Sequence, residues 1–184
     1  MISFIVYFIS HNLDAKKKML EEIDRVFQGD RTRPITENDF HKLKYCEAVI
    51  KEVDRVHPVA NMLARYAQEP DEIAGYKWPA GTLFRLNIEA VHKSENYWEE
   101  SKKFNPERWL TESFEPKKHT FIMFGGGLRI CPGRKLAMIE LVCLMALIFR
   151  KYEIDLVDME APLKTETGAI TAYTELLAKI RPRN

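Results

Sequence analysis

The first ten residues, MISFIVYFIS, are apolar on nearly every side, which predicts one end of a buried helix. From Asn12 or Asp14, either of which suits an N-cap, apolar residues Leu20, Ile23, Val26 and Phe27 follow at helical spacing, and Gly29 predicts the stop. Thr36, with Asp39 three residues on, reads as a capping-box-like start of another helical stretch. Its inner face would carry Leu43, Val49, Val53 and Val56, and Pro58 would end it. Beyond Pro58 the period changes. Residues 63–68, 72–78 and 82–88 predict short strands, with Pro79, Ala80 and Gly81 turning between the last two. Residues 89–120 predict irregular chain with a short helix near Ala90. After a glycine-rich run at 124–133, a long apolar helix is expected from about Pro132 to Tyr152. Gly168, set between extended stretches such as 176–180, predicts a closing hairpin. The expected fold class is therefore mainly α with a minor β-sheet, an α+β arrangement.

Composition narrows the function classes. Of 184 residues, 46% are hydrophobic and 30% charged, enough apolar material for a core and too much for intrinsic disorder. The net charge of +1, without long blocks of one sign, gives no reason to expect nucleic acid as a partner. Cys46, Cys131 and Cys143 are few, odd in number and without CxxC spacing, which argues against a disulfide framework or zinc site and fits a reducing compartment. The apolar run at 2–9 is too short to span a bilayer and makes a poor signal peptide. The run at 136–149 is also short and contains Glu140, so no membrane span is expected in this chain.

Four of the eight glycines lie between Gly125 and Gly133, so the backbone there must turn tightly or approach something closely. Phosphate loops do not fit: GxxxxGK[ST] meets Pro132, and GxGxxG meets Ile130. A phosphatase-like Cys with Arg six residues on meets Ala137. What remains is Cys131 in a glycine loop before a helix, with Pro132 suited to the first helical position and Arg129 two residues away. A helix N-terminus and a nearby cation both favour thiolate over thiol, and a thiolate that a flat partner can approach is what an iron ligand needs.

The segment FGGGLRICPG resembles the haem-binding signature of the cytochrome P450 family, with Phe124, Gly127, Arg129, Cys131 and Gly133 at its positions and Leu128 where many members carry proline. KEVDRVHP resembles the family's Glu-x-x-Arg helix, and FNPERW its later Pro-Glu-Arg segment. The resemblance implies Cys131 as axial thiolate to the iron of haem (iron protoporphyrin IX), with Phe124, Gly127, Arg129 and Gly133 as cofactor-binding residues. It implies Arg65 and Arg129 at the haem propionates. Glu52, Arg55 and Arg108 would form a buried triad that is structural and not catalytic. His92 stands either near the haem or as a packed core histidine. By position, 59–63 and 166–174 would line part of a pocket.

On this resemblance residues 1–184 form the C-terminal part of a single cytochrome P450 domain. Its parts would be the end of the distal helix, the Glu-x-x-Arg helix, a small sheet, an irregular meander, the haem loop and the proximal helix. The implied activity is monooxygenation of a small apolar organic substrate with electrons from a reductase, which could dock on Lys102, Lys103, Lys117, Lys118, Arg134 and Lys135. The family's proton-handling acid and threonine would precede Met1. No catalytic residue is therefore expected in this chain, and the 184 residues alone are expected not to turn over. The implied location is intracellular, with a parent chain anchored at the endoplasmic reticulum membrane as one option. Two alternatives stand beside this reading: a non-catalytic haem- or partner-binding fragment, and a thiol enzyme using Cys131, for which the nearest histidine in sequence is His119.

Overall fold

The longest buried surface belongs to one helix, α4 (Lys44–Val56), and the other helices are arranged around it. The structure, a computed structural model, describes residues 1–168 and 170–183. Before α4 come α1 (Ile2–His11), α2 (Leu13–Phe27) and α3 (Glu37–Lys42). After the central strands lie α5 (Ile88–His92) and the apolar α6 (Arg134–Phe149). The core joins Phe4, Ile5 and Ile9 of α1, Met19, Ile23 and Phe27 of α2, Cys46, Val49, Ile50 and Val53 of α4, and Val142, Met145 and Phe149 of α6. These positions repeat at three- and four-residue intervals, so each helix turns one apolar stripe inward.

The stretch expected to run unbroken from Thr36 to Pro58 is two helices, α3 and α4, parted at Leu43 (φ −85°, ψ 54°). The break has a tertiary cause. The Glu22 carboxylate of α2, itself buried, accepts from the Tyr45 and Cys46 backbone amides at 2.8 and 2.9 Å, capping the first turn of α4 from another helix. The capping box at Thr36 and Asp39 forms as expected. Asp39 also takes two bonds from Arg33, whose guanidinium holds the carboxyl well below the usual carboxylate range. Asn12 occupies the N-cap of α2, but its side chain donates backwards to the Phe8 carbonyl at 2.8 Å and so closes α1 instead. At the far end of α2, Gln28 and Gly29 both take positive φ, ending the helix one residue before the expected glycine.

Among the described residues the strands form four two-stranded antiparallel sheets. β1 (Met62–Tyr66) pairs with β4 (Leu83–Asn87), with Arg65 opposite Phe84. The stretch expected as one strand at 72–78 is a hairpin, β2 (Asp71–Ile73) against β3 (Tyr76–Trp78). Ala74 and Gly75 both adopt positive φ, as a two-residue hairpin turn of type I′ requires. The Pro79–Gly81 turn therefore leads away from β3 to a strand that pairs elsewhere. At the C-terminal end β6 (Thr165–Thr167) and β7 (Thr171–Tyr173) form the hairpin expected around Gly168. The last strand, β8 (Ala178–Pro182), closes instead on β5 (Tyr152–Leu156), directly after α6. The described residues contain no helix long and apolar enough to cross a membrane.

Candidate functional site

The glycine loop between Phe124 and Gly133 folds back on itself. Gly125 and Gly127 hold φ of +77° and +63°, which β-carbon-bearing residues rarely adopt. A β-carbon at Gly125 would make only ordinary contacts, at 3.8 Å from the Arg129 carbonyl and 3.9 Å from Leu63. Backbone conformation, more than crowding, therefore demands glycine there. The loop closes where the Cys131 amide donates to the Phe124 carbonyl at 2.9 Å. Helix α6 begins at Arg134, two residues later than expected, so Pro132 and Gly133 belong to a turn and not to the first helical positions. The Arg134 amide bonds the Cys131 carbonyl at 3.4 Å.

Cys131, a half-buried free thiol, opens into a cavity of about 450 Å³. Phe124, Arg129 and Arg65 line the same cavity. Its apolar wall comes from Val59, Leu63, Ile122, Met123, Leu141 and Ile170. The structure thus brings four of the six residues assigned to the cofactor into one space, from the glycine loop and from β1. Gly127 and Gly133 lie in the loop but outside the lining, and Gly127 contributes backbone shape through its positive φ. Arg65 is exposed and donates to the neighbouring Ala64 carbonyl at 2.7 Å. Of the two segments assigned to the pocket by position, 59–63 contributes Val59, Ala60 and Leu63, and 166–174 contributes Ile170, while residue 169 lies outside the described residues.

The chemistry of this set fits a haem. A single soft sulfur ligand, two arginines suited to carboxylates and a mainly apolar wall match an iron whose other ligands come from a flat macrocycle with two acid groups. Among the described residues no group of three or more His, Cys, Asp or Glu side chains could hold a bare metal ion. Among the described residues no histidine lines the cavity to serve Cys131 as a base.

Behind the loop, Glu52 and Arg55 are both fully buried, and Arg108 nearly so. The Glu52 carboxylate accepts from Arg55 at 2.8 and 2.9 Å and from Arg108 Nε at 3.2 Å. It also accepts from the Asn105 amide and Trp109 Nε1, each at 2.9 Å. Arg55 in turn donates to the carbonyls of His92, Ser101 and Lys103. One ion-pair cluster therefore ties α4 to α5 and to the irregular segment after it. Sequence reasoning missed Asn105 and Trp109, although both stand in the FNPERW run.

His92 is packed in the core and does not line the Cys131 cavity. It is fully buried, its Nε2 accepts from the Ile122 amide at 2.8 Å, and its ring stacks on Phe121 at 5.2 Å. Burial pushes it down to about 4, so the ring stays neutral and positions the strand of chain that enters the glycine loop. Cys46 and Cys143 are apolar core and helix-side thiols, both raised by burial.

Asp54 was missed altogether. It lies between Glu52 and Arg55 but lines the Cys131 cavity instead of joining their cluster. It is 2% exposed; Oδ1 accepts from the Val59 amide at 3.3 Å, and Oδ2 has no partner. Burial pushes its carboxyl up to about 7, against a smaller opposing pull from the Val59 amide. A carboxyl raised on folding stabilises the fold fully below its unfolded value, and that contribution is lost as pH rises through the folded value. Asp54→Asn cannot ionise. Relative to the unsubstituted chain it should gain roughly 2–4 kcal/mol more at pH 8 than at pH 4, read from urea midpoints. A pH-independent difference would contradict this.

Comparison with known proteins agrees with the geometry. The family model described as Cytochrome P450 matches residues 1–180. The 1,25-dihydroxyvitamin D(3) 24-hydroxylase, mitochondrial, of Rattus norvegicus is 32% identical over 182 residues, 99% of this chain and 35% of that protein. Cytochrome P450 4d2 of Drosophila melanogaster is 35% identical over 153 residues, 83% of this chain and 30% of the relative. Steroid 17-alpha-hydroxylase/17,20 lyase of Mesocricetus auratus is 36% identical over 189 residues, 100% of this chain and 37% of the relative. The chain spans about a third of the length of these curated relatives. Members of the matched family bind thiolate-ligated haem. A glycine loop presenting one thiol to an arginine-flanked apolar cavity stands, together with a buried Glu-Arg-Arg cluster, in a chain matched along almost its whole length: it belongs to the cytochrome P450 family.

Proposed function

We propose that these 184 residues supply the thiolate side of a haem monooxygenase, and that the protein containing them inserts one oxygen atom of O₂ into an organic substrate. The observation that carries this reading is the shared cavity of Cys131, Phe124, Arg129 and Arg65. When bound, haem supplies an iron centre that activates O₂ with electrons from a reductase. Cys131 Sγ would ligate the iron. Arg65 and Arg129 would each offer guanidinium N–H groups to a propionate. Phe124 and the apolar wall would exclude water, while the positive-φ glycines let the backbone come close. The Glu52 cluster would hold the loop's supports in place without touching the reacting atoms. Exposed Lys102, Lys103, Lys117, Lys118 and Lys135, with half-buried Arg134, would offer a reductase positive charge.

The reading is tested by titrating the chain with hemin and following the Soret band. Binding should saturate at one equivalent. Arg65→Ala and Arg129→Ala should each weaken it about tenfold, the low end for a bond to a charged group at exposed positions. Non-saturating uptake, or two arginine variants that bind as tightly as the parent, would contradict it.

A further inference from the structure

Asp54 is an unusual component of the cavity wall. The lining around it is mainly apolar, with Val59, Leu63, Ile122, Met123 and Leu141 among its residues. A carboxyl in such a wall needs partners, because an unpaired polar group out of water costs free energy at every moment it is unmatched. Asp54 has one weak backbone bond, from Val59 at 3.3 Å, and an oxygen with none. It plays no part in the cluster that its neighbours Glu52 and Arg55 build. It is 98% shielded from solvent (2% exposed), so bulk water does not satisfy it either. The arginines of the cavity, Arg65 and Arg129, are exposed at its margin, and in the proposed function they answer the acid groups of the cofactor. That leaves Asp54 as the acidic group of the interior wall.

We propose that Asp54 is a ligand-recognition residue, and that the cavity over Cys131 selects apolar ligands that carry one positively charged group. This rests on the proposed function, since it takes the cavity as the place where haem and substrate meet. A cation is the strongest complement to a buried carboxylate, which gains far more from an opposite charge than from a neutral dipole at low local dielectric. Asp54 near its midpoint at neutral pH is also easily drawn into its charged form by such a ligand.

The test uses the haem-loaded protein and two probes of matching skeleton. One is trimethyl(4-phenylbutyl)ammonium, whose charge is fixed and whose nitrogen has no lone pair for iron. The other is 4-phenylbutan-1-ol. Dissociation constants are read by isothermal titration calorimetry for the unsubstituted protein and for Asp54→Asn and Asp54→Leu. The unsubstituted protein should bind the cation at least tenfold more tightly than the alcohol. Both variants should lose at least tenfold for the cation and less than twofold for the alcohol, and Asp54→Glu should restore part of the loss. Equal affinity for the two probes in the unsubstituted protein would overturn the proposal, whatever the variants do. So would a cation affinity unchanged in both variants. If the thiolate Soret signature is present in the same samples when either result appears, this inference fails alone. If the unsubstituted protein takes up no haem, the proposed function fails and this inference with it.

Discussion

Glu52→Ala is expected to cost the fold about 3–5 kcal/mol, the scale of leaving a buried charge without its partner. Set against a total stability of roughly 5–15 kcal/mol for a domain, this is enough to unfold a marginal one. The argument is one of satisfaction. The Glu52 carboxylate accepts from five donors: Arg55 Nε and Nη2, Arg108 Nε, the Asn105 amide and the Trp109 indole. Alanine removes the acceptor and leaves two guanidinium groups, one of them with no exposure at all, inside the protein. Arg55 would keep its three carbonyl acceptors but lose its counter-charge. Glutamine keeps the volume but exchanges half of the acceptor for a donor facing arginines, so Glu52→Gln should be nearly as damaging. By contrast, breaking the exposed Lys103–Glu100 pair should change stability by no more than about 1 kcal/mol. Urea titration of the three variants checks the order. A Glu52→Ala midpoint within experimental reach of the Lys103 variant would contradict the role given to the cluster.

How far the sequence could foresee this depended on whether the cause was local. The capping box at Thr36, the helical stripes and the Gly168 hairpin rest on neighbouring residues, and they form as expected. The division between α3 and α4 rests on Glu22, more than twenty residues away in the chain, so no local pattern at Leu43 announces it. The Ala74-Gly75 turn was hidden for another reason: alanine seldom takes positive φ, and a continuous alternating run masks a hairpin whose turn has only one glycine. Long-range strand partners were illegible. Extended segments could be named, but β4 pairing with β1 and β8 with β5 are long-range choices.

The site was more legible than the fold around it, because its residues carry motif spacing. Phe124, Arg129 and Cys131 come from one short loop, and their meeting in one cavity needs little beyond that loop's shape. Arg65 reaches the same space from a strand, which only the family resemblance suggested. Asp54 carries no motif spacing of its own, standing between Glu52 and Arg55, the two outer residues of the same helical turn. On an α-helix a residue one or two positions away faces elsewhere, and here that other direction is the cavity. The sequence signal available was Asp54 standing next to Val53, one of the apolar positions that mark the inner face of the helix.

The other large effect concerns Cys131. Among the described residues, Cys131→Ala removes the only thiol that lines the cavity, and no other side chain of the lining can supply a thiolate. Cys46 is fully buried in the core and Cys143 lies on α6, outside the lining, so neither can substitute. Alanine at position 131 should leave the fold nearly intact, because the loop is held by the backbone bond from residue 131 to Phe124 and not by the sulfur. Stability and ligation should therefore separate: a urea midpoint close to the parent, with the spectrum changed completely.

The measurement that tests the central claim most directly is the reduced carbon-monoxide difference spectrum of the haem-reconstituted chain, recorded beside Cys131→Ala. A strongly red-shifted Soret band in the parent, lost in the folded variant, is the expected result and would establish Cys131 as the thiolate ligand. A parent that binds haem without that band, or a variant that retains it, would contradict the account.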